Sequence, residues 1–253
     1  MIMELTDFFE QNRRVAIAFS GGVDSAYLLF MATKCGADVA AFYVKSQFQP
    51  QFEYEDACKL ANDLGVKLYT IELDILQCEN VVSNPENRCY FCKRKIFEAI
   101  IQGAHEAGYT VIADGTNASD DADDRPGMKV LRELSVCSPL RTCGLTKAMI
   151  RKCSREAGLF TWNKPAYACL ATRVKTGEII TEKKLRITEA AEQYLFEQGF
   201  RDFRVRMRGT KAVLMFTSQD KERFYKYETQ ITNRLLEDYS AVIVDSEVRN
   251  SWI

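Results

Sequence analysis

The 253-residue chain carries one histidine and five prolines, and none of its apolar runs approaches the roughly 18 residues of a membrane span. Each shortage closes off some chemistry. His105 stands alone in the polar helical stretch 100–108, so serine–histidine triads, histidine-rich zinc sites and histidine general bases are not expected. Neither sign of charge prevails: 34 Lys and Arg face 35 Asp and Glu, a net charge of −1, which argues against a nucleic-acid partner. Met1–Arg14 is too polar for a secretory signal. A cytoplasmic protein with no membrane partner is therefore expected. Repeats and low-complexity tracts are also missing. Cysteine, by contrast, is plentiful. Nine of them, an odd number in a chain without export signals, point to thiols or metal ligands before disulfides.

The 47% hydrophobic content supports one large core and a smaller one. Through about residue 165, strands and helices alternate, which implies an α/β fold: a mostly parallel sheet with helices on both faces. Strands are expected at 15–19, 39–44, 67–72 and 110–113, with a weaker one at 135–138. Helices are expected at 25–34, 52–64, 90–107 and 146–157, with a further one at 129–134. Beyond Arg173 the pattern becomes helix 182–199, strands 201–207 and 212–217, helix 219–239 and strand 241–246. This is a small α+β unit. Turn residues at 163–165 and 174–177 mark the junction, and the expected domains are 1–172 and 173–253.

Ser20-Gly21-Gly22-Val23-Asp24-Ser25 follows the apolar run Val15–Phe19 and opens a helical pattern. Adjacent glycines let backbone approach an anion, Ser20 and Ser25 offer hydroxyls, and the helix N-terminus adds its positive end. Asp24 suits the Mg²⁺ that accompanies ATP. The Gly-Lys-Ser/Thr ending of a Walker loop is absent, which argues against γ-phosphate chemistry. The loop resembles the PP-loop of ATP pyrophosphatases, enzymes that release pyrophosphate and leave AMP on a substrate. Ligands in such sheets sit beyond the carboxyl ends of strands, so Ser46 and the stretch 114–117, including Gly115, are expected around the same crevice.

Cys89-Tyr90-Phe91-Cys92 opens another expected helix, with Lys93, Arg94 and Lys95 following. Two sulfurs near a helix start with cations beside them favour thiolates. Alone, a C-x-x-C is a redox pair, half a zinc site or two ligands of an iron–sulfur cluster. Cys169 adds a third candidate, at the seam between the domains and flanked by basic residues.

Taken with the segments 114–121 and 124–127, Ser138-Pro139-Leu140, Leu145-Thr146-Lys147, Ile150-Arg151, Gly158-Leu159 and Lys164-Pro165-Ala166 to Cys169-Leu170, the chain resembles the LarE family over nearly its whole length. These are ATP-dependent sulfur transferases that help build the nickel-pincer nucleotide cofactor of lactate racemase. The resemblance implies a PP-loop ATP pyrophosphatase fold (adenine nucleotide alpha hydrolase-like), ATP with Mg²⁺, and a small-molecule nucleotide substrate, pyridinium-3,5-biscarboxylic acid mononucleotide. Its carboxylates would be adenylated and become thiocarboxylates. Ser20, Gly21, Gly22, Asp24, Ser25, Ser46, Gly115, Lys93 and Arg94 form the nucleotide set, with Asp24 and Cys169 catalytic. Some members sacrifice the sulfur of one cysteine; others hold a [4Fe-4S] cluster on three. Cys89, Cys92 and Cys169 match the second kind, with an external sulfide source. A hexameric homo-oligomer is implied by the family alone.

Arg204, Arg206 and Arg208 share one face of an expected strand, and forked guanidiniums suit a phosphate. The family has a similar Arg-x-Arg pair and an acidic residue, here Glu192, at a site thought to bind the substrate phosphate. A solvated strand face is the plain alternative. Where the family commonly shows Ile-Pro-Tyr-Gly, this chain has Val174-Lys175-Thr176-Gly177. Other readings remain: a PP-loop enzyme that thiolates tRNA, a sacrificial donor using Cys169, or a structural zinc or nucleotide-binding module.

Overall fold

Val15, Ala16 and Ile17 are all fully buried in the strand Arg14–Ala18 (β1), the mark of a strand covered on both faces. The computed structural model describes residues 4–120 and 126–249. It divides them into two units, one of residues 1–75 and 87–164, the other of 76–86 and 165–253.

In the first unit β1 is joined by Asp38–Lys45 (β2), Lys67–Glu72 (β3) and Val111–Asp114 (β4) in a four-stranded sheet ordered β3-β2-β1-β4, every pairing parallel. The helices before the second unit's first segment are Leu5–Gln11 (α1), Val23–Lys34 (α2) and Gln51–Asp63 (α3). Glu79–Val82 (α4) belongs to the second unit. The first unit resumes with Arg88–Glu106 (α5), Pro126–Glu133 (α6), Pro139–Thr142 (α7) and Lys147–Glu156 (α8).

Alternation along β1 sorts the core. Val15 and Ile17 pack with Leu28 and Leu29 of α2 and Ile150 of α8, whereas Ala16 packs with Phe42, Ile100 and Ala104. The expected strand at 135–138 shrinks to one parallel bridge, Ala113 with Cys137. Ser135 adopts φ 54° and Pro139 already begins α7, so too little extended chain remains to build a strand.

The second unit continues with Glu182–Glu197 (α9), Phe203–Arg208 (β5), Lys211–Phe216 (β6), Ser218–Lys226 (α10), Glu228–Leu235 (α11) and Ala241–Val244 (β7). β5 and β6 pair antiparallel, and β7 joins β6 in parallel. Phe200, Phe203, Phe216 and Phe224 form its aromatic centre with Leu195, Ile231 and Leu235. The single helix expected over 219–239 is two, broken at Tyr227, whose φ of −124° leaves the helical range. Gly177 N–H and Ile180 N–H bond to Asn84 O and Val82 O, at 2.9 and 2.8 Å, and the Asn84 amide donates to the carbonyls of Lys175 and Glu178. These bonds fasten 76–86 to its unit. Among the described residues no helix is long and apolar enough to cross a membrane.

Candidate active site

The first unit presents Ser20–Ser25, Ser46 and Gly115 just past the carboxyl ends of the adjacent strands β1, β2 and β4. Gly21 takes φ 69°, and a Cβ there would sit 3.1 Å from Glu53 O. Gly22 caps α2 without a side chain, leaving the first amides of the helix open toward an anion. The loop is braced from inside: Ser20 and Ser25 hydroxyls lie 3.1 Å apart, and Ser25 Oγ donates to Gly22 O at 3.3 Å. Gly115 presses on this turn so closely that a Cβ would fall 2.8 Å from Ser25 N. Ser46 Oγ donates to Gln49 Oε1 at 2.6 Å within its own turn.

Asp24 Oδ2 accepts a 2.7 Å hydrogen bond from Lys147 Nζ. Its Oδ1 is buried without a hydrogen-bond partner, and Asn117 lies beside it without meeting that geometry. Burial raises the Asp24 pKa above its ordinary value, against the opposing pull of Lys147. A buried carboxylate oxygen lacking a donor suits a divalent cation, and hard Mg²⁺ takes oxygen ligands, so the residues present fit Mg²⁺ with ATP. Asp114, at the end of β4, accepts from Ser138 Oγ at 2.7 Å and lies 4.0 Å from Lys93 Nζ. Arg94 is turned to a surface network with Glu98 at 2.9 Å and Glu133 at 3.1 Å. Lys164 Nζ reaches Asp56 at 2.7 Å and Gly21 O at 3.4 Å, its backbone held by Arg151 through the carbonyls of Trp162 and Lys164.

Cys89 and Cys92 sit in the opening turns of α5, the first exposed and the second half-buried. Their 3-residue spacing puts both sulfurs on one helix face. Among the described residues all cysteines are thiols, and no group of three or more His, Cys, Asp or Glu side chains is gathered to hold a metal. Cys89 and Cys92 lie in the first unit, while Cys169 belongs to the second.

In the second unit Cys169 is half-buried and precedes a short 3-10 turn, Leu170–Arg173. Arg173 Nη1 donates to Ala168 O at 2.9 Å, and Arg204 to Ala166 O, so carbonyls shortly before the cysteine are pinned. Glu192 is saturated: it accepts from Arg173, from Val205 N at 2.8 Å and from the Tyr167 hydroxyl. Arg204 is buried, and burial together with Arg173 and Arg249 lowers its pKa to about 10. The Arg206 guanidinium makes no hydrogen bond or ion pair with any described residue; burial and then Arg208, Arg173 and Arg249 lower its pKa too. Among the described residues the Arg208 guanidinium bonds only the carbonyl of Met207, at 3.0 Å.

A family model described as queuosine biosynthesis protein QueC matches residues 14–84, the stretch that carries β1, the glycine loop and β2. The pyridinium-3,5-bisthiocarboxylic acid mononucleotide synthase of Lactiplantibacillus plantarum is 33% identical over 196 residues, covering 77% of this chain and 71% of the relative. The chain belongs to the LarE family. It is thereby a PP-loop enzyme of the ATP-dependent sulfurtransferase kind. An uncharacterized Synechocystis protein is 34% identical over 221 residues, 87% of this chain and 82% of its own. A tRNA-specific 2-thiouridylase of Clostridium botulinum is 28% identical over 182 residues but spans 59% of this chain and 52% of that enzyme.

Within the LarE stretch, residues 121–125 lie outside the described ones. Lys147, Lys164 and Asp56 join the loop's surroundings, although no local pattern marks them for that place. Lys147 carried a signal nonetheless, since a cation in the first turn of a helix opposes the helix dipole and calls for a partner such as Asp24.

Proposed function

We propose that this protein activates the carboxylates of pyridinium-3,5-biscarboxylic acid mononucleotide with ATP and converts them to thiocarboxylates, in nickel-pincer nucleotide synthesis. The observation that carries this is the 33% identity to the bisthiocarboxylate synthase across 77% of the chain, joined to a glycine loop whose Asp24 keeps an unpartnered oxygen.

A substrate carboxylate oxygen attacks the α-phosphorus, the bond to the β-phosphate breaks, and pyrophosphate leaves with the electron pair. Amides of Ser20–Ser25 bind the phosphates, and Asp24 would hold Mg²⁺, which neutralises their charge. The acyl carbon then takes sulfur and loses AMP. Arg206 and Arg208, with Arg204, bind the substrate phosphate on β5; the unsatisfied Arg206 supports this.

Cys89, Cys92 and Cys169 are the proposed ligands of a [4Fe-4S] cluster, which, when bound, supplies sulfide from an iron with no protein ligand. Three cysteines in this pattern support that reading over a single sacrificial sulfur. It is tested by anaerobic turnover with ATP, Mg²⁺, the biscarboxylate nucleotide and sulfide, followed by mass spectrometry of product and protein. Expected are AMP, pyrophosphate and thiocarboxylate, with iron lost in Cys89→Ala, Cys92→Ala and Cys169→Ala. Full activity in the first two, with wild-type Cys169 accumulating as dehydroalanine, would mean a sacrificial donor. ADP and phosphate as products would overturn the adenylation.

A further inference from the structure

Lys147 is the first residue of α8, directly after its Thr146 cap, whose hydroxyl accepts from Met149 N. A cation there faces the positive end of the helix dipole. Its backbone N–H is nevertheless fixed to Ser119 Oγ at 3.0 Å, and Ala118 N–H bonds Leu145 O at 2.8 Å. The segment after β4 therefore sets where Lys147 stands. From there its ammonium makes one bond among the described residues, to Asp24 Oδ2 at 2.7 Å. The pair is not sealed, with side chains 35% and 20% exposed. The other N–H donors of the ammonium have no acceptor among the described residues.

We propose that Lys147 is the exchangeable counter-ion of the glycine loop. While the loop is empty the ammonium neutralises Asp24; when a Mg²⁺-bound phosphate chain enters, it leaves the carboxylate and pairs with phosphate oxygens. The reasoning is electrostatic. A divalent cation and an ammonium on one carboxylate are like charges a few ångströms apart and repel strongly in a half-buried site. A polyphosphate brings more negative charge than one Mg²⁺ cancels, and it docks on the same first turn of α2 that carries Asp24. The flexible lysine stem lets its point charge follow that change, whereas the backbone of α8 stays tied to Ser119. This inference rests on the reading of the loop as a MgATP site.

Calorimetry on the full chain separates the two. Inorganic pyrophosphate with Mg²⁺, and Mg²⁺ alone, are titrated into wild type, Lys147→Gln and Lys147→Arg. In Lys147→Gln, Mg²⁺ alone is expected to bind at least 3-fold more tightly, because no ammonium competes for Asp24, while Mg-pyrophosphate binds at least 10-fold more weakly, on the order of 1.4 kcal/mol. Lys147→Arg keeps the charge and should stay within a few-fold of wild type for pyrophosphate. Opposite shifts in one variant are what a lysine serving only to brace the fold would not produce. Equal shifts in the same direction, or unchanged pyrophosphate affinity, overturn the proposal. If Lys147→Gln does not fold, a loss of 10-fold or more in pyrophosphate affinity with folded Lys147→Arg also overturns it. Failure of wild type to bind Mg-pyrophosphate or MgATP would instead sink the underlying site assignment.

Discussion

Arg173 and Glu192 form a two-point ion pair, Nε to Oε1 at 2.8 Å and Nη2 to Oε2 at 3.0 Å. Both side chains are nearly sealed, at 1% and 2% exposure. Burial works against the Arg173 charge, and the Glu192 pair more than compensates, raising its pKa. The pair joins α9 to the turn that follows Cys169. Removing one partner leaves an uncompensated charge, so Glu192→Ala is expected to cost about 3–5 kcal/mol in urea unfolding. The double variant Arg173→Met, Glu192→Met should lose less than the two single changes added together. A Glu192→Ala cost below about 1 kcal/mol would show that the pair contributes no more than a surface bridge.

Gly115 meets backbone, not a yielding side chain: its missing Cβ would lie 2.8 Å from Ser25 N and 3.1 Å from Ser25 Cα. Gly115→Ala must therefore displace the start of α2. We expect ATP affinity to fall by about 10-fold or more and stability by about 1–3 kcal/mol, the scale of overpacking. Equilibrium nucleotide binding and thermal unfolding check both. Unchanged ATP affinity would mean that the turn does not depend on this contact.

Arg206 carries a charge that burial and neighbouring arginines disfavour. Arg206→Ala should then leave the free protein as stable as wild type or slightly more so. The same change should cost about 1.5–3 kcal/mol of substrate-nucleotide binding, the scale of a charge-assisted hydrogen bond. The opposite signs make the check clean. Unchanged nucleotide affinity in an Arg204→Ala, Arg206→Ala variant would remove β5 from the substrate site.

Tyr239 is buried, and desolvation, partly offset by Thr188 and aided by the smaller effects of Glu192 and Asp238, pushes its pKa up to about 12. The phenol stays protonated in the fold while an unfolded one ionises near 10. The native state then binds more protons between those values, so stability falls as pH rises through that window. The slope is at most about 1.4 kcal/mol per pH unit. Tyr239→Phe should flatten this part of the profile in urea unfolding at pH 9 to 11. A variant that tracks wild type throughout would assign the alkaline loss to other groups.

The parallel sheet was legible because strands covered on both faces read as continuous apolar runs: Val15–Phe19 and Val39–Val44 declare themselves without partners. The turn into α2 was legible from Gly21 and Gly22. The break at Tyr227 was not, since Lys226-Tyr227-Glu228 contains neither glycine nor proline, and only packing of Phe224 and Ile231 into one core divides the helix. α1 is too short to stand out in the sequence, though Leu5, Phe8 and Phe9 are buried at helical spacing. Asp24 announced itself through its motif. Its pairing with Lys147 spans 123 positions: a lysine in a helix first turn calls for a partner, but nothing local says which carboxylate that is.

The chain enters the second unit at Leu76, returns to the first at Asn87 and leaves it again at Pro165. During synthesis, Val82 and Asn84 emerge long before Gly177 and Ile180, the amides that will bond to them. The 76–86 excursion must wait, unanchored, through some ninety residues of translation, and Cys89 waits beside it only a few residues downstream. The first unit has all its own chain once Lys164 is made, whereas the second still awaits everything from Pro165 onward. Cutting at the 164–165 junction would sever the later crossing but strand the earlier segment with the wrong fragment. Two separately expressed halves should therefore fail to reconstitute what one uninterrupted chain folds.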